Sequence, residues 1–301
     1  MSKKSAIKTI GITLKPTSTA DYYHLIPNLC SWLIKRKITV VFKIDEKERV
    51  QKFYKSKEVP ALEFFPDKKF HKDVDLMLSL GGDGTLIGVC RRINPKIPIL
   101  GINLGRLGFI TEYNKNEFYD ALELILKGHY ETHSKPLFNV TVEKKGKTQF
   151  EEYFFNDAVC AKNDIARMLY VRAEAEDQHI YNLAGDGLII STTMGSTAYS
   201  LAAGGPIVHP DVKALLVTPI CAHSLSHRPF VIPENYRLTL KLMPPYQSAT
   251  LTVDGQVAFN IDEHDSIVIN RKKPKKVVLV KNPNRLYFHT ISEKFIDNRR
   301  S

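Results

Sequence analysis

Apolar positions along this chain follow two periods, and the switch between them comes near residue 135. Residues 8–14 form a β-branched run, and 38–44 is nearly continuous apolar, as in a strand buried on both faces. Between them Leu25, Ile26, Leu29, Trp32 and Leu33 fall at helical spacing and predict a helix over 22–34. Strands are predicted at 74–80 and 97–102, with a helix-like pattern over 86–93 between them. Asn114 and Glu117 have the spacing of a capping box that opens a helix over 118–126, and Gly128 closes it. Strand and helix alternate, so this part predicts an α/β domain with an open, mainly parallel sheet.

After residue 135 the helical period gives way to short alternating runs. Strands are predicted at 137–142 and 150–161, joined by a hairpin turn at Gly146-Lys147. Residues 168–176 and 178–183 read as a hairpin around Glu176-Asp177, and 188–191 as a further strand. More strands follow at 236–242, 249–253, 266–269 and 277–280, and 290–298 is weakly helical. This spacing predicts a β-sandwich-like C-terminal domain. The expected division is an α/β domain over 1–130 and a β-rich substrate-binding domain over 131–283, with 284–301 packing back onto the first. No internal repeat or low-complexity tract interrupts the pattern.

Composition adds limits. With 301 residues, 43% hydrophobic and 25% charged, the chain has the makeup of a globular protein with a sizeable core. No apolar run reaches the roughly 18 residues a membrane helix needs, and no signal-peptide core follows Met1-Ser2-Lys3-Lys4-Ser5. Cys30, Cys90, Cys160 and Cys221 lack metal-ligand or redox spacing and read as free thiols. A cytoplasmic location without membrane partners is expected. The net charge of +11 suits polyanionic ligands. Part of it is local, since Arg271-Lys272-Lys273-Pro274-Lys275-Lys276 reads as a solvated turn between two strands. No helix-turn-helix, zinc-finger or aromatic RNA-binding signature is present, so nucleic acid is not an expected partner. His209, His223 and His227 read as structural.

Four stretches carry chemistry. Gly81-Gly82-Asp83-Gly84-Thr85 stands between a strand and a helix, an arrangement that presents bare backbone N–H groups to phosphate. A carboxylate beside phosphate is unfavourable unless it accepts a proton or holds a cation, so Asp83 points to phosphate chemistry. Gly82 and Gly84 do not extend to a dinucleotide fingerprint, because Ile87 holds the sixth position and Gly88 comes one late. Gly146-Lys147-Thr148 is not a P-loop, because Thr141 stands where its first glycine is required. A second turn, Gly101-Ile102-Asn103-Leu104-Gly105-Arg106-Leu107-Gly108-Phe109, also follows a strand. Both turns are therefore expected to line one cleft. Asn156-Asp157, in an apolar strand environment, offers acceptors for ribose hydroxyls or an adenine amine. Gly185-Asp186-Gly187 and the run from Gly195 to Pro206 combine a hydroxyl-rich turn, a small-residue helix and a double glycine, which lets backbone approach a ligand. Tyr199 is placed to stack a base.

Together these stretches resemble the NAD kinase family. Gly-Gly-Asp-Gly-Thr alone also occurs in diacylglycerol-type lipid kinases and phosphofructokinase-like enzymes. Gly195-Ser196-Thr197-Ala198-Tyr199-Ser200-Leu201-Ala202-Ala203-Gly204-Gly205-Pro206-Ile207 and Asn103 to Phe109 are far more specific. The match runs from about residue 74 to Gln256. The resemblance implies an active site between the two domains and transfer of the ATP γ-phosphate to the 2′-hydroxyl of the adenosine ribose of NAD, forming NADP. Asp83 would accept the proton, and Mg²⁺ or another divalent cation would be held mainly by the ATP phosphates. Gly81, Gly82, Gly84, Thr85 and Asn103 would face phosphate, with backbone N–H groups of both glycine turns carrying its charge. Asp83, Gly84, Asn156, Asp157, Asp186, Thr197, Ala198, Tyr199, Ser200, Leu201, Ala202 and Gln256 would line the NAD site, with Arg167 and Ala184 at further substrate-lining positions. A homodimer or homotetramer is expected.

The chain departs from the family at one place. Where the family reads Ser-Thr-Pro-Thr-Gly-Ser, this chain has Ser191-Thr192-Thr193-Met194-Gly195-Ser196. Thr193 replaces a rigid proline, and Met194 exchanges a hydroxyl for a flexible apolar group. Two alternatives stay open: a lipid kinase sharing the glycine turn, and a non-catalytic NAD(H)-binding regulator.

Overall fold

The computed structural model describes residues 6–17, 19–54, 58–105, 108–164 and 166–295. The chain forms two compact units, Met1–Lys135 with Lys276–Ser301, and Pro136–Lys275.

The first unit is built on a parallel sheet. In chain order it has β1 (Thr9–Leu14), α1 (Tyr22–Ile34), β2 (Thr39–Lys43), α2 (Lys47–Phe53), β3 (Glu63–Phe65), α3 (Asp67–Phe70), β4 (Leu76–Gly81), α4 (Asp83–Arg92), β5 (Pro98–Asn103), β6 (Tyr113–Asn114) and α5 (Phe118–Leu126). The strand order is β5-β4-β1-β2-β3, with every pair parallel. Residues 278–279 add a parallel neighbour to β5. The chain winds outward from β1 to β3, then returns to β4 on the other side of β1. That reversal is the switch point at which open α/β sheets bind ligands beyond the carboxyl ends of their strands. β4 and β5 are buried along their whole length, which explains their largely apolar sequence. Tyr22, Ile26, Leu29 and Leu33 of α1 and Phe118, Leu122 and Ile125 of α5 join their core cluster. The capping box before α5 is half formed. Glu117 Oε1 accepts the Asn114 N–H at 2.9 Å, but the Asn114 side chain accepts from Asn116, not Glu117.

The second unit is an antiparallel sandwich. Its strands are β7 (Thr132–Lys144), β8 (Lys147–Phe154), β9 (Asp157–Lys162), β10 (Leu169–Ala175), β11 (Gln178–Gly185), β12 (Gly187–Thr192), β13 (Ala214–Ile220), β14 (Phe230–Pro233), β15 (Leu238–Leu242), β16 (Ala249–Val253), β17 (Val257–Ile261) and β18 (Asp265–Val280), with the short helix α6 (Tyr199–Ala202) after β12. The unit boundaries fall within β7 and β18. One layer runs β11-β10-β15-β18, with β7 and β8 paired beside it, and the other runs β14-β13-β12-β9-β16-β17. Val171, Ala173, Leu238 and Leu240 from the first layer share one core with Cys160, Leu188, Ile190, Leu215 and Val217 from the second.

Four local expectations are corrected. The run 150–161 is two strands, β8 and β9, in different sheets. The hairpin turn is Lys145-Gly146, both at positive φ, with Lys144 paired to Lys147. The basic stretch 271–276 is not a turn but the middle of β18, where Pro274 and Lys276 are exposed. β13, β14 and β17 were not expected. The final helix, α7 (Tyr287–Phe295), starts before the expected 290–298, and residues 296–298 lie outside the described residues.

Gly128, at φ +79°, ends α5: its N–H reaches the Ile125 carbonyl and the His129 N–H reaches Leu124, both at 2.9 Å. Gly128→Ala is expected to lower stability by about 1 kcal/mol, the cost of a Cβ in the left-handed region, read as a lower denaturant midpoint.

Candidate active site

Asp83 is built into the head of α4 at the switch point of the first unit. Gly81 ends β4, where a Cβ would lie 2.3 Å from Thr85 Oγ1. Gly82 is extended (φ −143°, ψ −168°), and the helix begins at Asp83, three residues earlier than the apolar pattern suggested. An acid in the first turn complements the helix dipole. Gly84 is exposed, with open space where a Cβ would point.

The Asp83 carboxylate accepts four hydrogen bonds from the second glycine turn. Oδ2 takes the Phe109 N–H at 2.8 Å. Oδ1 takes the Ile110 N–H at 3.2 Å, the Thr111 N–H at 2.9 Å and the Thr111 hydroxyl at 2.8 Å. A Cβ on Gly108 would fall 2.0 Å from Oδ1, so only glycine lets the loop close on the acid. Asn103 braces the same loop, donating to Thr111 Oγ1 at 2.9 Å and accepting from the Gly105 N–H at 2.8 Å. One expectation changes. The N–H groups of Gly105 and 109–111 are taken by amide and carboxylate oxygens and are not bare. Asn103, 5% exposed, braces the loop. Arg106 and Leu107 lie outside the described residues.

A second carboxylate organises the other unit. The chain bends between β8 and β9 at Phe155-Asn156, and Asp254 Oδ2 and Oδ1 accept the N–H groups of Phe155, Asn156 and Asp157 at 2.9, 2.7 and 3.1 Å. Asp254 stands at φ +50° in the turn between β16 and β17. It was missed as a functional residue, although Asp-Gly is itself a turn signal. The hydroxyl-rich segment closes on the same bend. Thr192 Oγ1 donates to the Phe155 carbonyl at 2.7 Å, and Ser191 Oγ to the Asn156 carbonyl at 3.1 Å. A Cβ on Gly195 would lie 2.3 Å from that carbonyl. Asn156 is left with a buried Oδ1 that has no partner. Asp157 is 5% exposed, and burial, followed by the Asp254 charge, pushes its carboxyl up to about 7.

The remaining expected residues divide by position. Asp157 pairs with Ser191 at one end of the β9–β12 ladder, and Ala161 with Gly187 at the other. Ala184 and Asp186 belong to that far end, roughly 15 Å away at about 3.4 Å per residue. There Asp186 pairs with Lys162 at 2.7 Å. Arg167 is highly exposed and 3.9 Å from Asp164. Gln256 is exposed in the Asp254 turn. Thr197 and Ala198 are half-buried, Leu201 is half-buried, and Tyr199 and Ala202 are exposed. Ser200 is fully buried, its hydroxyl 2.8 Å from Thr218 Oγ1, so its side chain is structural. Met194 is half-buried, and its carbonyl accepts the Thr197 hydroxyl at 3.5 Å.

Family models for the ATP-NAD kinase N-terminal and C-terminal domains match residues 10–130 and 155–281. The NAD kinase of Solibacter usitatus is 37% identical over 289 residues, covering 96% of this chain and 97% of that one. The chain belongs to the NAD kinase family. Another NAD kinase, from Magnetococcus marinus, is 34% identical over 96% of this chain and 93% of its own. Membership makes the chain a phosphotransferase. Among solved structures, yeast NADH kinase complexed with NADH superposes with a TM-score of 0.87 at 24% identity, covering 99% of this chain and 90% of that one. An Archaeoglobus fulgidus NAD kinase in complex with ATP gives 0.71 at 21% identity, covering 95% and 98%. These likenesses show a NAD kinase fold, and the family match begins well ahead of the glycine motif.

Among the described residues of this NAD kinase family member, no three His, Cys, Asp or Glu side chains come together as a metal-holding group. Near Asp83 the carboxylate is taken up by N–H groups and the Thr111 hydroxyl. No helix in the described residues is long and apolar enough to cross a membrane.

Two outcomes are expected. Gly108→Ala pushes the loop off Asp83 and lowers turnover roughly 100-fold, as a displacement of about 1 Å does in a positioned site, measured by steady-state kinetics. The second concerns pH. Folded Asp157 holds its proton to about 7, whereas the unfolded chain releases it near 3.8. Between those values the folded state binds more protons, so stability falls as pH rises. Asp157→Asn removes this titration. Its stability relative to the parent rises by up to about 4 kcal/mol from pH 4 to pH 7 and is flat at lower pH, measured by denaturant unfolding across a pH series.

Proposed function

We propose that this chain transfers the γ-phosphate of ATP to the 2′-hydroxyl of the adenosine ribose of NAD. The observation that carries this reading is Asp83, held by four donors at the head of α4 beyond the carboxyl end of β4. The likeness to enzymes solved with NADH and with ATP supports both substrate classes.

In the reaction the ribose oxygen bonds to the γ-phosphorus while the bond to the β–γ bridging oxygen breaks, and ADP leaves. The hydroxyl proton passes to Asp83. A carboxylate has about four acceptor positions. Among the described residues Oδ1 takes three donors and Oδ2 one, so Oδ2 is the more open acceptor. The N-terminal turn of α4, from Gly82 to Thr85, faces the phosphates with its positive dipole end. Asn156 Oδ1, buried without a partner, accepts from an adenosine amine or hydroxyl. Asp157 is half protonated near neutral pH, so it can donate to one ligand group and accept from another. Among the described residues no three carboxylate, histidine or cysteine side chains gather to hold a cation, so Mg²⁺ would be carried by the ATP phosphates.

An assay with ATP, Mg²⁺ and NAD or NADH, reading NADP by a coupled dehydrogenase, tests the reading. Absence of NADP(H) with NAD binding retained overturns it in favour of a binding regulator. Asp83→Asn is expected to lower kcat at least about 100-fold while NAD binding stays measurable by calorimetry. Near-full turnover removes the proton-acceptor role. Met194→Thr is expected to change the apparent NAD affinity more than kcat, because residue 194 sets the turn that ends at Thr197.

A further inference from the structure

The residues after β18 close on the loop that receives the Asp83 carboxylate. The Tyr113 hydroxyl donates to the Lys281 carbonyl at 2.9 Å. The Asn282 backbone N–H donates to Glu112 Oε2 at 2.6 Å, and its Nδ2 to the Glu112 carbonyl at 3.0 Å. Arg285 Nη2 donates to the Gly108 carbonyl at 3.0 Å. At the end of α7, Phe295 stacks on Phe109, with ring centroids 5.5 Å apart and planes at 27°. The Lys294 ammonium sits 5.4 Å from the centre of the same Phe109 ring.

Loop residues 108–113 are thus gripped twice. Asp83 takes the N–H groups of 109–111, and residues 281–295 take the carbonyl of 108, both sides of 112 and the ring of 109. The fit at Gly108 leaves no slack, since even a Cβ would strike Oδ1. A shift of the Gly108 peptide therefore moves the Asp83 carboxylate. Arg285 is half-buried, and Glu293, Glu112, Asp83 and Glu117 all act on its charge. With Lys135 and Lys281, its guanidinium supplies positive charge beside Glu112 and the loop.

We infer that residues 281–295 form a latch that fixes the Asp83 carboxylate, with Arg285 as a positioning residue for phosphoryl transfer. The inference rests on Asp83 being the proton acceptor. Arg285 acts through the Gly108 carbonyl and not on the reacting atoms. Phe295 supports the same loop through Phe109.

The test is steady-state kinetics on the full chain, with ATP and NAD each varied, for Asp83→Asn, Arg285→Ala, Arg285→Lys, Phe295→Ala, Phe295→Tyr and the double variant Asp83→Asn/Arg285→Ala. Arg285→Ala and Phe295→Ala should lower kcat by roughly ten- to a hundredfold, with both KM values within about twofold. Arg285→Lys and Phe295→Tyr, which keep a donor and an aromatic ring, should recover most of the loss. The double variant should be no slower than Asp83→Asn alone, because both act through one carboxylate. If Arg285→Ala does not fold, the Phe295 pair decides by the same criteria. Unchanged kcat in the latch variants, with Asp83→Asn inactive, overturns the latch and leaves the proton acceptor standing. A double variant slowed by the product of the two single losses overturns the latch as well. Near-normal turnover of Asp83→Asn overturns the proton-acceptor reading itself, and the latch falls with it.

Discussion

The first unit depends on one interaction: a carboxylate that receives successive backbone N–H groups from a distant loop. Asp83 ties the head of α4 to residues 109–111, and so ties the end of β4 to the loop that follows β5. Buried or half-buried N–H groups must be satisfied, and a loop has no ladder partner for them. The acid supplies that partner. In return the loop removes every rotational freedom the side chain has. A carboxylate placed in this way needs no reorganisation when a substrate arrives, which is the condition under which positioned groups contribute most to phosphoryl transfer.

The second unit uses the same device with a different result. Asp254 accepts three N–H groups across the bend at 155–157, and the bend sends the chain from one sheet to the other. A charge fixed there raises the cost of a second charge beside it. Asp157, buried next to it, therefore holds its proton far above the usual carboxylate range. One acid shapes the backbone, and its neighbour is left as a group that both donates and accepts near neutral pH. Gly195 and the hydroxyls of Ser191 and Thr192 close on the same carbonyls, so the glycine there is a packing requirement before it is anything else.

What could be read in advance follows from range. α1, β4, β16 and the hairpin at Glu176-Asp177 are set by period and local turn chemistry, and each stands where those signals put it. The break between β8 and β9 was invisible, because the apolar run continues through it and its cause, Asp254, lies about a hundred residues downstream. The basic stretch 271–276 misled for the opposite reason: charge and proline are turn signals, but an exposed strand tolerates both. Three glycines around an acid single out Asp83 as a candidate in the sequence. The service of the second glycine turn was not legible, because a backbone N–H group is the same in every residue and leaves no trace in composition. Asn103 shows the limit well, since nothing in a glycine turn's sequence says that its polar residue braces the loop.

The brace bears on how Asp83 can act at all. A carboxylate that accepts four donors looks fully occupied, yet the occupation is lopsided. Among the described residues three donors converge on Oδ1, and the Phe109 N–H alone reaches Oδ2. Had the four been shared equally, neither oxygen would offer a clear acceptor position. The asymmetry anchors one oxygen and leaves the other to the substrate. Phosphoryl transfer through a loose transition state asks little covalent work of the protein and much placement. For a proton acceptor in such a step, the relevant property is where its open lone pair points, and that is set by Thr111, Ile110 and the glycine at 108. The loop after β5 is then as much a part of the proposed chemistry as the acid it holds.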